Sequence, residues 1–328
     1  MIVTRRSLIA TAAVGSAGLL LPRVAMAAPD LPKLAKKATY KVGFAQTESN
    51  NPWRVAETNS MQDEAKKLGY QLVYTDAASS AAKQVSDVNS MIAQGVDVIF
   101  LAPREEKPLV PAIFAAKKAG VTMILLDRNV DQSLAKAGRD YLTFIGSDFV
   151  EEGHRIADWL IKATGGKARI IELEGTTGAS AATDRKKGFD EIVGKQAGMK
   201  ILASQNAEFT RDKGRQVTET LLQAHPDANA VYAHNDEMAF GAIAAIKAAG
   251  KTPGKDVIVC SIDGERDAVK AIMDGELGAT CECNPRFGPK AFSTMQSYAD
   301  GQTVPPMVIN ADKFYDKSNA AQLLDTAF

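Results

Sequence analysis

Two apolar runs that each end in an aspartate constrain the fold of this chain more than any other feature. The first covers residues 124–126 and is followed by Asp127 and Arg128; the second covers 258–262 and is followed by Asp263. An uninterrupted apolar run is typical of a parallel strand that is buried on both faces. Ligands of such sheets bind just beyond the carboxyl ends of the strands. The repeated arrangement therefore predicts two α/β halves that direct acidic side chains at one polar ligand.

Strand-like and helix-like segments alternate along the rest of the chain. The predicted strands of a first half are residues 41–45, 72–75, 96–101, 121–126 and 141–146. The pattern then starts again, with strands at 169–173, 200–204, 230–233 and 257–262. Helices separate most of these strands, as in doubly wound sheets. Later strands at 278–282 and 307–310, with a helix at 287–299, cannot all extend one sheet.

We therefore predict an α/β fold with two doubly wound parallel-sheet domains joined by a hinge of three chain crossings. The crossings are expected near residues 146–147, 283–284 and 305–308. The predicted N-terminal domain comprises 39–146 plus 284–307, and the C-terminal domain comprises 147–283 plus 308–328. A chain of 328 residues suits two domains of roughly 150 residues each.

The first 27 residues are predicted to be an export signal peptide. Arg5 and Arg6 precede an apolar segment at 9–21, and Ala25-Met26-Ala27 forms a cleavage signal. The adjacent arginines resemble a twin-arginine signal, and a general secretory signal is the alternative. The apolar segment is shorter than the ~20 residues that a membrane span needs. We expect a periplasmic protein that is not embedded in the membrane.

Composition argues against several other partners. Lys+Arg and Asp+Glu both number 39, so the net charge is zero and no broad basic face for nucleic acid is expected. The three histidines and three cysteines do not form a ligand-spaced cluster, so neither a metal nor a cofactor is predicted. Cys260 lies in an apolar run, and Cys281 and Cys283 share one face of a predicted strand, so no disulfide is expected.

The candidate residues suit a polyhydroxylated ligand. A buried hydroxyl without a hydrogen bond costs ~1–3 kcal/mol, so a sugar site must offer many donors and acceptors. Asp127 and Asp263 can each accept from two hydroxyls, Arg128 and Arg185 can each donate twice, and Asn235 can do both. The aromatic faces of Trp53 and Phe209 can cover the C–H surface of a sugar ring.

Six short segments occur in the order found in periplasmic sugar-binding proteins of ABC importers. They are residues 50–54, 126–128, 182–189, 209–211, 234–238 and 261–264. The chain resembles the ribose-binding group of this type I family over residues 40–310. It most resembles the galactofuranose-binding branch, through residues 53–59, 175–180 and 184–189.

The resemblance implies a function and partners. The chain would capture a monosaccharide, galactofuranose or a related hexose or pentose, by hinge closure. It would deliver the sugar to an ABC permease powered by an ATPase, and a monomer is expected. The alternative is a periplasmic sensor that presents the sugar to a chemoreceptor or a sensor kinase.

The resemblance also implies a set of sugar-contacting residues. They are Asn51, Trp53, Asp127, Arg128, Arg185, Phe209, Asn235 and Asp263. Arg54 replaces an aromatic residue of the ribose-binding group, and Cys283 replaces an amide whose hydrogen bond is absent or moves to Asn284. Both departures argue against ribose. Glu57 is a further candidate contact, with an ion pair to Arg54 as the alternative.

Simpler roles remain open for these residues. Asp127 and Asp263 could cap turns, Arg185 could lie on a solvated helix face, and Trp53 and Phe209 could be core residues. A glycosidase could use the two aspartates as its acid and base, but neighbouring arginines would keep both ionised, so no enzyme is expected. A repressor-type regulator of this fold would need a helix-turn-helix where the export signal lies.

Overall fold

The computed structural model describes residues 31–328, so the predicted signal peptide lies outside the described residues. In chain order the strands are β1 Lys41–Gln46, β2 Gln71–Asp76, β3 Val98–Leu101, β4 Thr122–Leu126, β5 Phe144–Gly146, β6 Ala168–Glu174, β7 Met199–Asn206, β8 Ala230–Ala233, β9 Ile258–Asp263, β10 Ala279–Glu282, β11 Met307–Ile309 and β12 Phe314–Asp316. The helices are α1 Pro52–Lys67, α2 Ala81–Ala93, α3 Val110–Lys118, α4 Phe149–Thr164, α5 Ser180–Val193, α6 Arg211–Ala224, α7 Asp236–Ala248, α8 Arg266–Met273, α9 Gly288–Ala299 and α10 Ala320–Leu323.

These strands form two sheets. The first has the order β11-β5-β4-β3-β1-β2, and the second has the order β12-β10-β9-β8-β6-β7. Neighbouring strands pair in parallel in both sheets, except that β12 runs antiparallel to β10. Two such sheets, connected mainly by helices, confirm the predicted fold class.

The strands that carry the two aspartates form where the apolar runs predicted them. All five residues of β4 are buried, and β9 has only its first residue partly exposed. The chain turns from α3 into β4 at Gly120, whose φ of +75° is a backbone conformation that favours glycine. The two strands end at Leu126 and Asp263, which brings Asp127 and Asp263 to the ligand-binding edges of their sheets.

The chain passes between the sheets three times, which forms the predicted hinge. It leaves the first sheet after β5, returns between β10 and α9, and leaves again between β11 and β12. After the chain returns to the first sheet, α9 packs against it: Phe292 of α9 contacts Phe100 of β3, with ring centroids 5.1 Å apart.

The third crossing lies later than the sequence predicted. β11 pairs with β5 through Met307–Ile309, so the chain stays in the first sheet beyond the predicted segment 305–308. The three-residue strand β12 was not predicted. It adds the antiparallel edge to the second sheet. The exact domain limits stay a prediction.

Within residues 31–328 we find no helix with the length and apolar character that a membrane span requires.

Candidate functional site

A cavity with about 310 Å³ of empty volume, part of it open to solvent, lies between the two sheets, at the ends of β4 and β9. Its lining comes from both halves of the molecule: Asn51, Trp53, Arg54, Asp127 and Arg128 from the first, and Ala181, Arg185, Phe209, Asn235, Asp263 and Cys283 from the second or the chain leaving it. The structure thus brings nine of the predicted contact residues together.

Arg54 forms much of the wall contributed by α1. Its Nη1 donates to Glu57 Oε2 at 2.8 Å, and its Nη2 lies 2.7 Å from Asp127 Oδ2. The guanidinium also stacks 4.5 Å from the centroid of the Trp53 ring. Nearby carboxylates raise the pKa of Arg54 against the opposing effect of burial. A permanently charged donor is therefore fixed in place before any ligand enters.

Trp53 combines a core position with a place in the cavity. Its indole Nε1 donates to the carbonyl oxygen of Cys283 at 2.7 Å, and its ring meets Phe287 edge-on. This hydrogen bond joins α1 to the segment that follows β10. The core role and the ligand role that the sequence left as alternatives are thus compatible.

Asp127 and Asp263 hold their carboxylates on unusual backbone. Their φ angles are +59° and +131°, in a region that residues other than glycine seldom adopt. Such conformations cost about 1–3 kcal/mol each and persist where the surroundings impose them. Both residues are buried: Asp127 is 3% exposed and Asp263 is 4% exposed. They direct their side chains into the cavity rather than along the strand.

Arg185 is buried, which excludes the solvated helix face as its environment. Its Nε donates to Glu152 Oε2 at 2.8 Å, its Nη1 to the carbonyl of His234 at 2.6 Å, and its Nη2 to Asp263 Oδ1 at 3.4 Å. Nearby Glu152 is the main group that raises the pKa of Arg185 against burial. The side chain crosses from α5 to the end of β9 and remains charged.

The environment of Asp263 does not agree with the sequence-based expectation that neighbouring arginines keep both aspartates ionised. Burial raises the pKa of Asp263 well above its ordinary value, and the long contact with Arg185 only partly opposes this. A carboxylate in this position needs further donors to remain ionised. Sugar hydroxyls would be such donors, so the electrostatics of the cavity favour a hydroxylated ligand.

Asn51 and Asn235 begin the two helices that point at the cavity. Asn51 Oδ1 accepts from the backbone nitrogen of Arg54 at 2.9 Å at the start of α1, and Asn235 Oδ1 accepts from Met238 at 3.0 Å at the start of α7. Both are N-caps, a role that fixes the amide orientation. The Asn235 Nδ2 donates to the carbonyl of Phe209 at 3.2 Å.

Phe209 and Arg128 cover the cavity from opposite halves. The Arg128 guanidinium lies 5.1 Å from the centroid of the Phe209 ring. The ring packs directly on Gly175, where a Cβ atom would lie 1.9 Å from Phe209 Cζ. Only glycine permits this close approach, which explains why the loop at 175–180 begins with glycine.

Two predicted contact residues do not line the cavity. Glu57 is fully buried behind Arg54, as in the ion-pair alternative. Asn284 turns away, with Nδ2 donating to Glu282 at 3.4 Å and Oδ1 accepting from the backbone of Arg286 at 2.9 Å. The preceding Cys283 occupies the lining instead. The sequence reasoning missed Ala181, a small residue on α5 with no polar signal.

The two halves also bond directly to each other beside the cavity. Asn129 donates its backbone N–H to Ser180 Oγ at 2.8 Å, and Glu106 donates its backbone N–H to the carbonyl of Gly178 at 2.8 Å. We call these two hydrogen bonds the rim contacts. Because they join residues that follow β3 and β4 to the loop and helix after β6, the structure is a closed form.

The site shows no feature of a metal centre. Within residues 31–328 no group of three or more histidine, cysteine or carboxylate side chains is placed to hold a metal ion. In the same part of the chain Cys260, Cys281 and Cys283 are buried free thiols.

Comparison with known proteins agrees with this geometry. The family described as "Periplasmic binding protein domain" matches residues 42–303. The galactofuranose-binding protein YtfQ of Escherichia coli (strain K12) is 43% identical over 276 residues, which cover 83% of this chain and 86% of that protein. The ribose import binding protein RbsB of Bacillus subtilis (strain 168) is 37% identical over 251 residues, which cover 76% and 78%.

Solved structures show the same similarity. The crystal structure of a galactofuranose binding protein has a TM-score of 0.84 and 41% identity, covering 88% of this chain and 98% of that one. The binding protein of the arabinose ABC transporter from Shewanella sp. ANA-3, bound to α- and β-L-arabinofuranose, has a TM-score of 0.83 and 39% identity, with coverages of 87% and 95%. The chain belongs to the periplasmic binding protein family, among the sugar-binding proteins of ABC importers.

Proposed function

We propose that this protein captures galactofuranose, or a closely related hexose or pentose in its furanose form, in the cavity between its two domains. The observation that carries the proposal is the arrangement of Arg54, Arg128 and Arg185 with Asp127 and Asp263 around 310 Å³. Charged groups of both signs from both halves form strong, directional hydrogen bonds with vicinal hydroxyls.

Closure is the proposed capture step. A sugar favours the closed form because only there do groups from both halves reach it. The complex then docks on an ABC permease, and an ATPase supplies the energy for transport. The protein acts as a monomer, because each chain contains the whole cavity. The names of its relatives as import binding proteins favour this role over a sensor that presents sugar to a chemoreceptor or a sensor kinase.

Arg54 supports a ligand other than ribose. Its ion pairs with Glu57 and Asp127 leave a charged, hydrogen-bonding wall where the ribose-binding group has an aromatic face. An additional hydroxyl or hydroxymethyl group would accept from the remaining N–H groups of Arg54, whereas ribose would leave those N–H groups without an acceptor.

A thermal-shift screen over aldoses and alditols tests the proposal. A ligand at 100-fold its Kd stabilises the protein by about 2.7 kcal/mol, which gives a clear shift. The ring form is then read by NMR from galactose labelled with ¹³C at C1, whose furanose and pyranose forms give separate signals. A pyranose signal in the bound state, or no shift with any sugar, would refute the corresponding part of the proposal.

We also propose that the protein is not an enzyme and leaves the cytoplasm folded by the twin-arginine route. Incubation with the bound sugar should return it unchanged, and a new product would contradict binding as the sole activity. Replacing Arg5 and Arg6 with lysine should abolish delivery to the periplasm. Unchanged periplasmic yield would favour the general secretory route.

A further inference from the structure

Glu152 is a buried carboxylate that lies behind the cavity wall. It is 2% exposed and stands in the first turn of α4. Its Oε2 accepts the hydrogen bond from Arg185, while its Oε1 accepts none from a nitrogen or oxygen donor among the described residues and the Cys283 thiol lies close to the carboxylate. A buried carboxylate oxygen without a donor costs free energy. Core packing alone gives no reason to keep a charged residue there.

Close packing of two helices brings Glu152 to Arg185. A Cβ atom on Gly153 of α4 would lie 2.5 Å from the carbonyl oxygen of Arg185, and one on Gly188 of α5 would lie 2.1 Å from the carbonyl oxygen of Val150. The two helices therefore approach backbone to backbone. This approach is what allows a side chain of α4 to reach the Nε of an arginine on α5.

The contacts of Arg185 fix the orientation of its guanidinium. Nε is held by Glu152, Nη1 by the carbonyl of His234, and Nη2 more loosely by Asp263. Of the five N–H donors, one on each terminal nitrogen is left for a ligand in the cavity. Without the Nε contact, the planar group could rotate and these two donors would no longer be aligned.

The first half of the molecule contains a related pair, here within one helix and through Nη1 rather than Nε. Glu57 is fully buried behind Arg54, binds its Nη1 through Oε2 at 2.8 Å, and has an Oε1 without a partner among the described residues. Each half thus places one carboxylate behind one cavity arginine. The recurrence of a buried carboxylate behind a cavity arginine supports a role for each carboxylate in holding its arginine.

We propose that Glu152 is a positioning residue for sugar binding: it aligns the Arg185 guanidinium with the cavity and does not touch the sugar. This inference rests on the proposed function and assigns a role to a residue outside the cavity lining. The ionised carboxylate orients Arg185 through a charge-assisted hydrogen bond, which a neutral side chain replaces only weakly.

The proposal predicts that acid weakens sugar binding. Burial raises the pKa of Glu152 to about 7, against the lowering effect of Arg185. The titratable or charged groups that face Glu152 are Arg185, Tyr232, Asp263, Cys281, Cys283 and Asp312. The ionised form is the one that aligns Arg185, so affinity is highest above this pKa and falls as the pH drops through it.

The test compares Glu152→Gln with Glu151→Gln, which makes the same chemical change at an exposed position of the same helix. Isothermal titration with the sugar that the wild type binds best is run between about pH 8 and pH 5.5. At the upper end we expect Glu152→Gln to bind about tenfold more weakly. Its affinity should also change less with pH than that of the wild type, because Glu57 and Asp263 still titrate. Glu151→Gln should behave as wild type.

Several outcomes would overturn the inference. Wild-type affinity in Glu152→Gln, together with lost binding in Arg185→Ala, would reject the positioning role and leave the proposed function intact. Weaker binding with an unchanged pH profile would indicate a merely structural role. If Glu152→Gln does not fold, a wild-type Kd that stays constant across the same pH range rejects the inference. A wild type that binds no sugar rejects the proposed function itself.

Discussion

Replacing Asp263 with asparagine separates the binding role of this residue from its role in stability. The residue is 4% exposed and, among the described residues, its carboxylate accepts one side-chain hydrogen bond, at 3.4 Å from Arg185. The remaining acceptor capacity is directed at the cavity. An asparagine of the same shape keeps one acceptor oxygen and converts the other into a donor.

The binding loss follows from the hydrogen bonds that disappear. A hydrogen bond to a charged group contributes about 1.5–3 kcal/mol, and 1.4 kcal/mol is about tenfold in affinity. Losing one such bond, which a sugar hydroxyl donates to the carboxylate, should raise the Kd by about one to two decades. The loss should apply to every sugar whose hydroxyl occupies this position.

The effect on stability should have the opposite sign. Burial raises the pKa of Asp263 well above its ordinary value, so above the unfolded pKa the ionised carboxylate destabilises the sugar-free closed form. A neutral amide removes this cost. We expect the melting temperature of sugar-free Asp263→Asn to equal or exceed that of the wild type at neutral pH.

Calorimetric titration and thermal melts measure both effects. Asp267→Asn is the matched control, because Asp267 lies on α8 with 71% of its side chain exposed and, within residues 31–328, forms an ion pair only with nearby Lys270. That variant should keep wild-type affinity. Wild-type affinity in Asp263→Asn and in Asp127→Ala, for every sugar that the parent binds, would show that this cavity is not the binding site.

Three further predictions follow from the ion pairs and the thiols. Arg54→Phe should shift the sugar preference toward smaller pentoses, and it should lower the free energy of unfolding by about 3 kcal/mol because it leaves Glu57 buried without its partner. Calorimetric titration checks the preference and denaturant unfolding checks the stability. Adding Glu57→Gln to this variant should restore part of the stability. Burial alone would raise the pKa of Glu172, but hydrogen bonds and charges from His234 and Lys186 lower it to about 2. Glu172→Gln should therefore lose about 3 kcal/mol at pH 7, and the difference from wild type should shrink as the pH falls from about 4.5 to 2; equal denaturation midpoints at pH 7 would contradict this. Reductant should leave the melting temperature unchanged, because the three described cysteines are free and buried; a large decrease would indicate a disulfide.

The sequence predicted the strands well where burial alone determines them. The runs before Asp127 and Asp263 are apolar because both faces of β4 and β9 are covered, so the sequence predicted both strands with limits that differ by one residue at most. β12 was not readable, because its three residues owe their conformation to antiparallel pairing with β10. The strand at 307–310 was predicted, but the sheet that holds it was not, since only its pairing with β5 keeps β11 in the first sheet.

The sequence predicted most of the residues that line the site, but it did not predict the hydrogen bonds and ion pairs between them and the residues behind them. Resemblance placed Arg54 and Arg185 among the candidates, but no spacing in the sequence connects Arg185 with Glu152, 33 residues away. That contact depends on how closely two helices pack. Asn284 was expected from its type, yet the turn after β10 directs its side chain at Glu282 and exposes Cys283 to the cavity.

The rim contacts have a consequence for how such a protein could acquire a new sugar. Both use backbone N–H donors, of Asn129 and Glu106, and the acceptors are the Ser180 hydroxyl and the carbonyl of Gly178, so neither contact uses a residue of the cavity lining. Part of the driving force for closing is therefore the same for any sugar that fits. Substitutions in the cavity can alter which sugar is recognised while the motion itself is inherited unchanged. Redesign for a new ligand is then a problem of cavity chemistry alone, with the closing mechanism already supplied by the scaffold.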